Sequence, residues 1–190
     1  MPSELNKLKK EVASLRKLAY KDPLTGLYNR RGFLDEGEKI FSTVRLAADK
    51  SVRRKSFFIQ DLALIFVDID NFKKINDSLG HKTGDIVLKG VADVLIDSVR
   101  LSDLVGRWGG EEMLVLLVGA SSKDAKKIAE SLRQKLQESK IKAGSRIIKL
   151  TASLGVASIA KELSLEDLIR KADKAMYRAK KLGKNRVVII

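Results

Sequence analysis

Hydrophobic residues recur along this chain with two different periods, which predict a succession of helices and strands. Amphipathic spacing predicts helices over 1–20, 30–48, 72–79, 87–99, 123–138 and 164–179. Apolar runs, continuous or alternating, predict strands over 62–67, 104–108, 113–118, 147–159 and 187–190. The polar and basic stretch 49–60 predicts a loop, and we find no function for the basic segment 45–60.

The order of these elements indicates the fold class. Helices and strands alternate, and the adjacent strands over 104–108 and 113–118 must be antiparallel. A ferredoxin-like core with additions therefore suits the chain better than a doubly wound sheet. We predict an α+β fold, an α/β sandwich in which a mixed sheet carries helices on both faces. Alternation along 147–159 also predicts a strand whose two faces lie in different environments, with polar residues on one of them: Lys149, Thr151 and Ser153.

The predicted helix over 1–20 has an apolar seam with coiled-coil spacing, formed by Leu5, Leu8, Val12, Leu15 and Ala19. Asp22-Pro23 ends this helix, because the residue before proline avoids helical geometry. Two interpretations stay open: a helix packed on its own domain, or the end of a parallel dimer helix that continues from an upstream domain. We therefore divide the chain into an N-terminal helix over 1–20 and one domain over 21–190.

Composition narrows the class of protein. At 190 residues and 44% apolar content, the chain can bury the core of one ordinary domain. It has no cysteine, which excludes disulfides and thiolate metal sites and suits a reducing cytoplasm. It also lacks the roughly 18-residue apolar run of a membrane span and the apolar segment of a signal peptide. We therefore expect a cytoplasmic location and no membrane segment.

The net charge of +14 raises several options for a partner: nucleic acid, a membrane surface or small polyanions such as nucleotides. A lysine-rich solvated surface explains the same charge, which is spread along the chain. Single-stranded nucleic acid is typically bound by exposed aromatic side chains on sheet strands. Aromatic residues make up only 5% of this chain, without such a pattern, so we expect no nucleic-acid partner.

The segment Gly109-Gly110-Glu111-Glu112-Met113 holds the most informative candidate chemistry. Two glycines between strand-like runs predict a tight hairpin, because both tolerate positive φ. Asp68 and Asp70 follow the buried strand over 62–67, so four carboxylates converge if the two strands are neighbours. Clustered carboxylates repel one another unless cations join them, and hard oxygen ligands select Mg²⁺ or Mn²⁺. The pattern favours a metal cluster that activates a hydroxyl for in-line displacement, although a strand-end turn explains Asp-x-Asp equally simply.

The helix that begins at Phe72 follows these acids directly. Its N-terminal amides and Lys73 suit phosphate. Asn76 and Asp85 together match the donors and acceptor of a guanine edge, although ordinary helix and capping roles explain them as well.

Six ordered motifs over 21–190 resemble those of GGDEF domains, the diguanylate cyclases. They are Asp22-Pro23-Leu24-Thr25-Gly26-Leu27-Tyr28-Asn29-Arg30-Arg31, Asp68-Ile69-Asp70 with Phe72-Lys73 and Asn76-Asp77, Gly80-His81 with Gly84-Asp85, Arg107 with Gly109-Gly110-Glu111-Glu112, Ser153 with Gly155-Val156-Ala157, and Ala172-Asp173 with Ala175-Met176-Tyr177, Ala179-Lys180, Gly183 and Asn185. The lone His81 belongs to a turn motif, where we expect a structural role.

This resemblance implies a fold like that of nucleotide cyclases and polymerase palms, and condensation of two GTP into cyclic di-GMP with release of pyrophosphate. Each monomer would hold one GTP, and two sites would face each other in a homodimer with at least two Mg²⁺ or Mn²⁺ ions per pair. It assigns metal binding to Asp68, Ile69 and Glu111, and catalysis to Asp68, Glu111 and Glu112. The implied substrate contacts are Phe72, Lys73, Asn76, Asp85, Gly109, Gly110, Lys180 and Lys184.

The resemblance also implies regulation. Arg100 and Asp103 match an Arg-x-x-Asp site at which the product, cyclic di-GMP, binds back and inhibits, although a surface pair at a helix end explains them too. A sensor domain would lie upstream in the full-length protein. The alternative function is a catalytically inactive domain that acts as a cyclic di-GMP receptor.

Two residues depart from the family pattern. Met113 stands where phenylalanine is usual, which keeps an apolar side chain on the strand and predicts retained catalysis. Lys184 stands where arginine is frequent, which keeps the charge but loses bidentate geometry.

Overall fold

A computed structural model describes residues 2–48, 61–160 and 164–190, so the predicted loop over 49–60 lies outside the described residues. The described residues form six helices: α1 Pro2–Tyr20, α2 Arg30–Ala48, α3 Phe72–Leu79, α4 His81–Ile96, α5 Ser122–Glu138 and α6 Leu165–Lys181. They also form seven strands: β1 Leu62–Ile69, β2 Leu104–Arg107, β3 Glu112–Val118, β4 Ile141–Ala143, β5 Arg146–Ile148, β6 Ala152–Ser158 and β7 Val187–Ile189.

The main sheet has the strand order β2-β3-β1-β6-β7. β1 lies at its centre and pairs antiparallel with both β3 and β6, while β7 joins the edge of β6 in parallel. Without β7, the four remaining strands have the order and direction of a ferredoxin-like sheet, which confirms the predicted fold class. The continuous apolar run of β1 follows from this position, because all eight of its residues are buried.

Helices cover both faces of the sheet, as predicted. Leu64 and Phe66 of β1 belong to a core cluster that includes side chains of α2 and α6. Ile65 and Val67 point to the opposite face and belong to a second cluster with α4 and α5. Alternate residues of one strand therefore anchor two separate cores.

The predicted strand over 147–159 is wrong in its bounds. β5 ends at Ile148 and pairs with β4 in a separate two-stranded sheet around Gly144, which has a φ of 63°. β6 begins only at Ala152. Ser153, on the predicted polar side, is fully buried and donates to Asp70, whereas Leu154 packs in an apolar core cluster. An alternating pattern continues across a break between strands, so the sequence does not show where one strand ends.

α1 is attached to the rest of the chain at its C-terminal end. The Asn29 side-chain amide donates to the Ala19 carbonyl at 3.0 Å, and the Asn29 backbone amide donates to the Tyr20 carbonyl at 2.9 Å. Further towards the N-terminus, Leu5, Leu8 and Val12 of the apolar seam are 55%, 58% and 43% exposed. Among the described residues, no helix is long and apolar enough to cross a membrane.

Candidate active site

Asp68, Glu111 and Glu112 are placed near one another by the end of β1 and the adjacent hairpin between β2 and β3. Asp68 is the register partner of Glu112, and the Ile69 amide donates to the Glu111 carbonyl at 3.4 Å. Burial raises the pKa of Asp68 most, and the charges of Glu111 and Glu112 raise it further. Three of the four carboxylates considered from the sequence therefore lie together.

Arg107 holds the hairpin in place. Its Nε and Nη2 donate to the Gly110 carbonyl at 3.2 and 2.9 Å, while Nη1 donates to both carboxylate oxygens of Asp22 at 3.2 Å. Burial opposes ionisation of Asp22, but hydrogen bonds from Thr25 and the charge of Arg107 hold its pKa below the usual range. The first and fourth motifs of the sequence are thus joined by one ion pair.

The two hairpin glycines do not have the backbone conformation that the sequence predicts for them. Neither Gly109 nor Gly110 is among the residues with positive φ. A Cβ atom added at Gly109 would lie 2.9 Å from Glu112 Oε2, whereas one at Gly110 would meet nothing within 4 Å. Gly109 therefore leaves room for the Glu112 carboxylate, and it does not serve a left-handed turn.

Asp68 is the most perturbed acid of the site. Its side chain is 3% exposed, and burial raises its pKa to about 6, against the opposing effect of Lys180. Lys180 Nζ lies 2.7 Å from Asp68 Oδ2. The other oxygen, Oδ1, is buried and has no hydrogen-bond partner. A buried carboxylate oxygen without a partner is energetically costly and typical of a functional site.

Glu112 is also perturbed, by residues that the sequence analysis did not assign to the site. Burial raises its pKa, and the nearby charge of Asp173 raises it further, while Lys180 and Arg30 oppose this shift. The Arg30 guanidinium stacks over Trp108 at 4.3 Å. Helical spacing offered a signal for Asp173, because it lies about two turns before Lys180 on α6.

Asp70 does not join the other acids. Its Oδ1 accepts from the Ser153 hydroxyl at 2.7 Å, and its Oδ2 accepts from the Thr151 hydroxyl at 2.7 Å and the Asn185 amide at 3.0 Å. Three donors therefore satisfy this buried carboxylate. The expectation that four carboxylates converge is wrong for Asp70, because Thr151 before β6, Ser153 in β6 and Asn185 in the turn before β7 are its partners.

The N-terminus of α3 has no side-chain cap from Asn71. Asn71 precedes the helix with a φ of 58°. Phe72 is 6% exposed and packs in the core, so only its backbone is available to a ligand, whereas Lys73 is exposed. Lys184 Nζ donates to Asn71 Oδ1 at 2.5 Å, which brings a second cation to the same helix end.

Asn76 and Asp85 are brought together by the connection between α3 and α4. Asn76 Oδ1 is buried without a partner, and a Cβ atom at Gly84 would lie only 1.9 Å from it. Asp85 is the next residue along α4 and is exposed. An unpaired amide beside an exposed carboxylate fits a ligand edge with both donors and acceptors.

Arg100 and Asp103 lie before β2, where Asp103 has structural partners. Its Oδ2 accepts from the Arg100 amide and its Oδ1 from the Val118 amide, both at 2.9 Å. The Arg100 side chain is exposed.

Among the described residues, no group of three His, Asp or Glu side chains is close enough to form a ready-made metal site. The chemistry of the donors nevertheless fits a hard cation, because Asp68 Oδ1 is buried without a partner and the charges of Glu111 and Glu112 act on the same carboxyl group. Mg²⁺ commonly takes one or two protein carboxylates and completes its coordination with substrate phosphate and water.

Met113 lies on the face of the sheet opposite Glu112. Its side chain is fully buried in the core cluster that α4 and α5 cover. The unusual residue therefore packs behind the site and does not reach the carboxylates.

Two cavities differ in their relation to the acids. A cavity of about 410 Å³ adjoins Glu112 and is lined by Arg30, Trp108 and Asp173 among others. A larger one, of about 1130 Å³, lies between α3, the end of α5 and β5. The larger cavity contains none of the predicted catalytic, metal or substrate residues, so volume alone is a poor guide to the site.

The family model described as "Diguanylate cyclase, GGDEF domain" matches residues 19–186. Diguanylate cyclase VdcA of Vibrio cholerae serotype O1 is 36% identical over 188 residues, which cover 97% of this chain and 51% of that protein. This chain spans 51%, 35% and 28% of the length of three curated relatives, so it corresponds to about half of them or less.

Solved structures agree. The coiled coil and GGDEF domain of DgcB from Caulobacter crescentus, in complex with c-di-GMP, superposes with a TM-score of 0.85 at 27% identity, covering 100% of this chain and 95% of that one. The active GGEEF domain of a diguanylate cyclase from Vibrio cholerae gives a TM-score of 0.74 at 31% identity, covering 85% of this chain and 96% of that one. The chain therefore belongs to the GGDEF family of diguanylate cyclase domains.

Proposed function

We propose that this domain condenses two molecules of GTP into cyclic di-GMP. In each of two steps, the 3′-hydroxyl oxygen of one nucleotide attacks the α-phosphorus of the other. A P–O bond forms as the bond to pyrophosphate breaks, and the hydroxyl proton leaves to a base. The observation that carries this proposal is the buried Asp68 carboxylate, whose Oδ1 has no partner, whose Oδ2 pairs with Lys180 and on which the charges of Glu111 and Glu112 act. Such a site favours a cation together with a polyanionic ligand.

The metal of this reaction would be Mg²⁺ or Mn²⁺, with at least two ions per pair of GTP-bound monomers. The carboxylates of Asp68 and Glu111 and the Ile69 carbonyl would hold it. When bound, a divalent cation neutralises phosphate charge and favours ionisation of the attacking hydroxyl.

The chain itself supplies orientation, charge and a base. Lys73, Lys180 and Lys184 would contact the phosphates, together with the amides at the start of α3 and at Gly109 and Gly110. Glu112 would assist metal binding or accept the 3′-hydroxyl proton, which its raised pKa suits. Asn76 and Asp85 would bind the guanine edge.

The two GTP sites would face each other across a homodimer, because one chain supplies one set of these residues. Leu5, Leu8 and Val12 form an exposed apolar stripe on α1, and a parallel copy of the same helix would cover it. The DgcB structure that spans this whole chain is described as a coiled coil with its GGDEF domain, which supports this arrangement. In the full-length protein α1 would continue from a sensor domain, and a GTP-consuming domain would work in the cytoplasm.

Product inhibition would act through Arg100 and Asp103. The exposed guanidinium would bind a phosphate or guanine of cyclic di-GMP, and the Asp103 carboxylate would accept from the base. Arg100→Ala should raise the product concentration needed for half-inhibition without lowering the initial rate, whereas Arg146→Ala on β5 should change neither. Unchanged inhibition in Arg100→Ala would count against this site.

The deciding experiment incubates the purified chain with GTP and Mg²⁺ at high protein concentration and separates the nucleotides by chromatography. We expect cyclic di-GMP and pyrophosphate from the wild-type chain and no product from Glu111→Ala. Glu138→Ala, at the exposed end of α5, serves as the matched control and should keep the wild-type rate. Absence of product from the dimeric wild-type chain would refute the proposal and favour an inactive receptor of cyclic di-GMP.

A further inference from the structure

The turn that follows α6 has an unusual backbone. Three successive residues, Gly183, Lys184 and Asn185, have φ values of 111°, 63° and 45°. Left-handed geometry is costly for a residue with a Cβ atom, and lysine is less tolerant of it than asparagine. Surrounding contacts must therefore hold this turn, which carries one of the proposed phosphate-binding cations.

Some of these contacts come from the structural acid Asp70, from α6 and from the residue before α3. The Asn185 amide donates to Asp70 at 3.0 Å, and the Lys184 amide donates to the Ala179 carbonyl at 3.1 Å. At the tip, Lys184 Nζ donates to Asn71 at 2.5 Å, directly before α3. The backbone of the turn and the contact with Asn71 together place this ammonium at the start of α3.

The other contacts come from α5, on the opposite face of the sheet from α6. Arg133 Nη1 donates to Asn185 Oδ1 at 2.8 Å and to Gln137 Oε1 at 2.7 Å. The Asn185 side-chain amide donates to the same Gln137 oxygen at 3.1 Å. Glu130 binds the other side of the guanidinium, with Nη2 and Oε1 separated by 2.6 Å. Only 14% of the Arg133 side chain is exposed, so the guanidinium is fixed among its partners.

We propose that Arg133 is a positioning residue of the phosphate site. With Gln137 it fixes the Asn185 side chain, and this fixes the left-handed turn that presents Lys184 to the nucleotide phosphates. None of the sequence motifs includes a residue of α5, so this helix joins the site only through the tertiary structure. The inference rests on the proposed function for its ligand, but the fixing of the turn belongs to the protein alone.

Hydrogen exchange of the unliganded protein tests the fixing of the turn without any nucleotide. In Arg133→Met the amides of residues 184–186 should exchange about tenfold faster, while those of β1 keep their protection. Lys127→Met is the matched control, because it removes a cation from an exposed position of the same helix. Unchanged exchange at 184–186 in Arg133→Met would overturn the proposal, whatever the activity of the domain.

Binding of GDP and guanosine, with Mg²⁺ present, then tests the effect on phosphate recognition. Arg133→Met should weaken GDP binding about fivefold and guanosine binding less than twofold, because only GDP has phosphates for Lys184 to contact. A merely structural role would weaken both ligands equally and would contradict the proposal. Arg133→Lys, which keeps the charge but loses the planar fork, should restore part of the GDP affinity.

A double-mutant cycle assigns the effect to Lys184. Lys184→Met should weaken GDP binding about tenfold, and adding Arg133→Met should weaken it little further, since the arginine acts through the lysine. Additive losses would overturn the assignment. Failure of the wild-type chain to bind GDP would refute the proposed function instead, and the exchange experiment would still decide the fixing of the turn.

Discussion

Asp68 and Asp70 belong to one sequence motif, but their side chains have different surroundings in the folded chain. Both are buried, at 3% and 4% exposure. Asp70 accepts three hydrogen bonds, which satisfy both of its oxygens. Asp68 has one lysine partner at 2.7 Å, one oxygen without a partner and two further carboxylates nearby.

This difference separates a structural acid from a chemical one. The partners of Asp70 come from the protein, so its charge is stabilised when the chain folds. The environment of Asp68 is incomplete, and burial of its charge costs stability until a cation and phosphates arrive. Residue type, spacing and burial are the same for both acids, so only their neighbours reveal which one performs chemistry.

The largest effect should follow from replacing the chemical acid. Asp68→Asn keeps the shape of the side chain but removes the charge that would hold the metal, so cyclic di-GMP synthesis should fall by about 10³-fold or more. Initial rates measured with GTP and Mg²⁺ check this. Asp93→Asn, at an exposed position of α4, should leave the rate within about twofold. A rate above one tenth of wild type in Asp68→Asn would remove Asp68 from the chemistry.

Replacing the structural acid should instead affect folding. Asp70→Ala leaves the buried Ser153 hydroxyl and the Asn185 amide without their acceptor, so the free energy of unfolding should fall by about 2–4 kcal/mol. Urea denaturation checks this, with Asp93→Ala as the exposed control. Asp68→Asn should lose far less stability in the same assay, and equal losses at the two positions would contradict the comparison.

The comparison also predicts a dependence on pH. Burial raises the pKa of Asp68 from 3.8 to about 6, so between these values the folded chain binds the proton more tightly than the unfolded chain does. Stability due to this proton is present below about pH 4 and is lost as the pH rises through about 6. As the pH rises from about 4 to about 6, the thermal midpoint of Asp68→Asn should therefore increase relative to that of wild type. Above about pH 6 the difference between the two midpoints should stay constant. A difference that stays constant across this range would argue against the raised pKa.

The smallest effect should come from the unusual residue of the hairpin motif. Met113 packs on the face opposite Glu112, so Met113→Phe should change the rate by less than about twofold. The larger ring in a filled core should alter the free energy of unfolding by about 1 kcal/mol. A large gain in activity would mean that packing behind the strand controls the carboxylates after all.

Several elements could be predicted from sequence because their signals are local. The helix predicted over 164–179 corresponds to α6, whose start is capped locally: the Ser164 hydroxyl accepts from the Asp167 amide at 3.2 Å. The predicted strands on either side of Gly109 are joined by a very short connection, which requires them to be antiparallel. β2 and β3 form this hairpin. By contrast, the small hairpin of β4 and β5 was missed, because three-residue strands give too short a pattern to detect.

The candidate site could be predicted only as a set of residues. Asp173 and Arg30 next to Glu112, and Arg133 next to Asn185, come from helices far away in the sequence. Contacts between such distant positions leave no periodic signal. The same holds for the closeness of Gly109 to Glu112 Oε2, which the positive φ expected from the sequence did not indicate.

The sequence by itself determined the fold class, the family and the acids and lysines available for chemistry, because periodicity and motif order are properties of neighbouring residues. The tertiary structure decided which of these groups remain unsatisfied. Thr151, Ser153 and Asn185 satisfy Asp70, while Asp68 keeps an oxygen without a partner. The physical reason is that solvation and hydrogen bonding of a buried charge depend on groups that folding brings from distant parts of the chain.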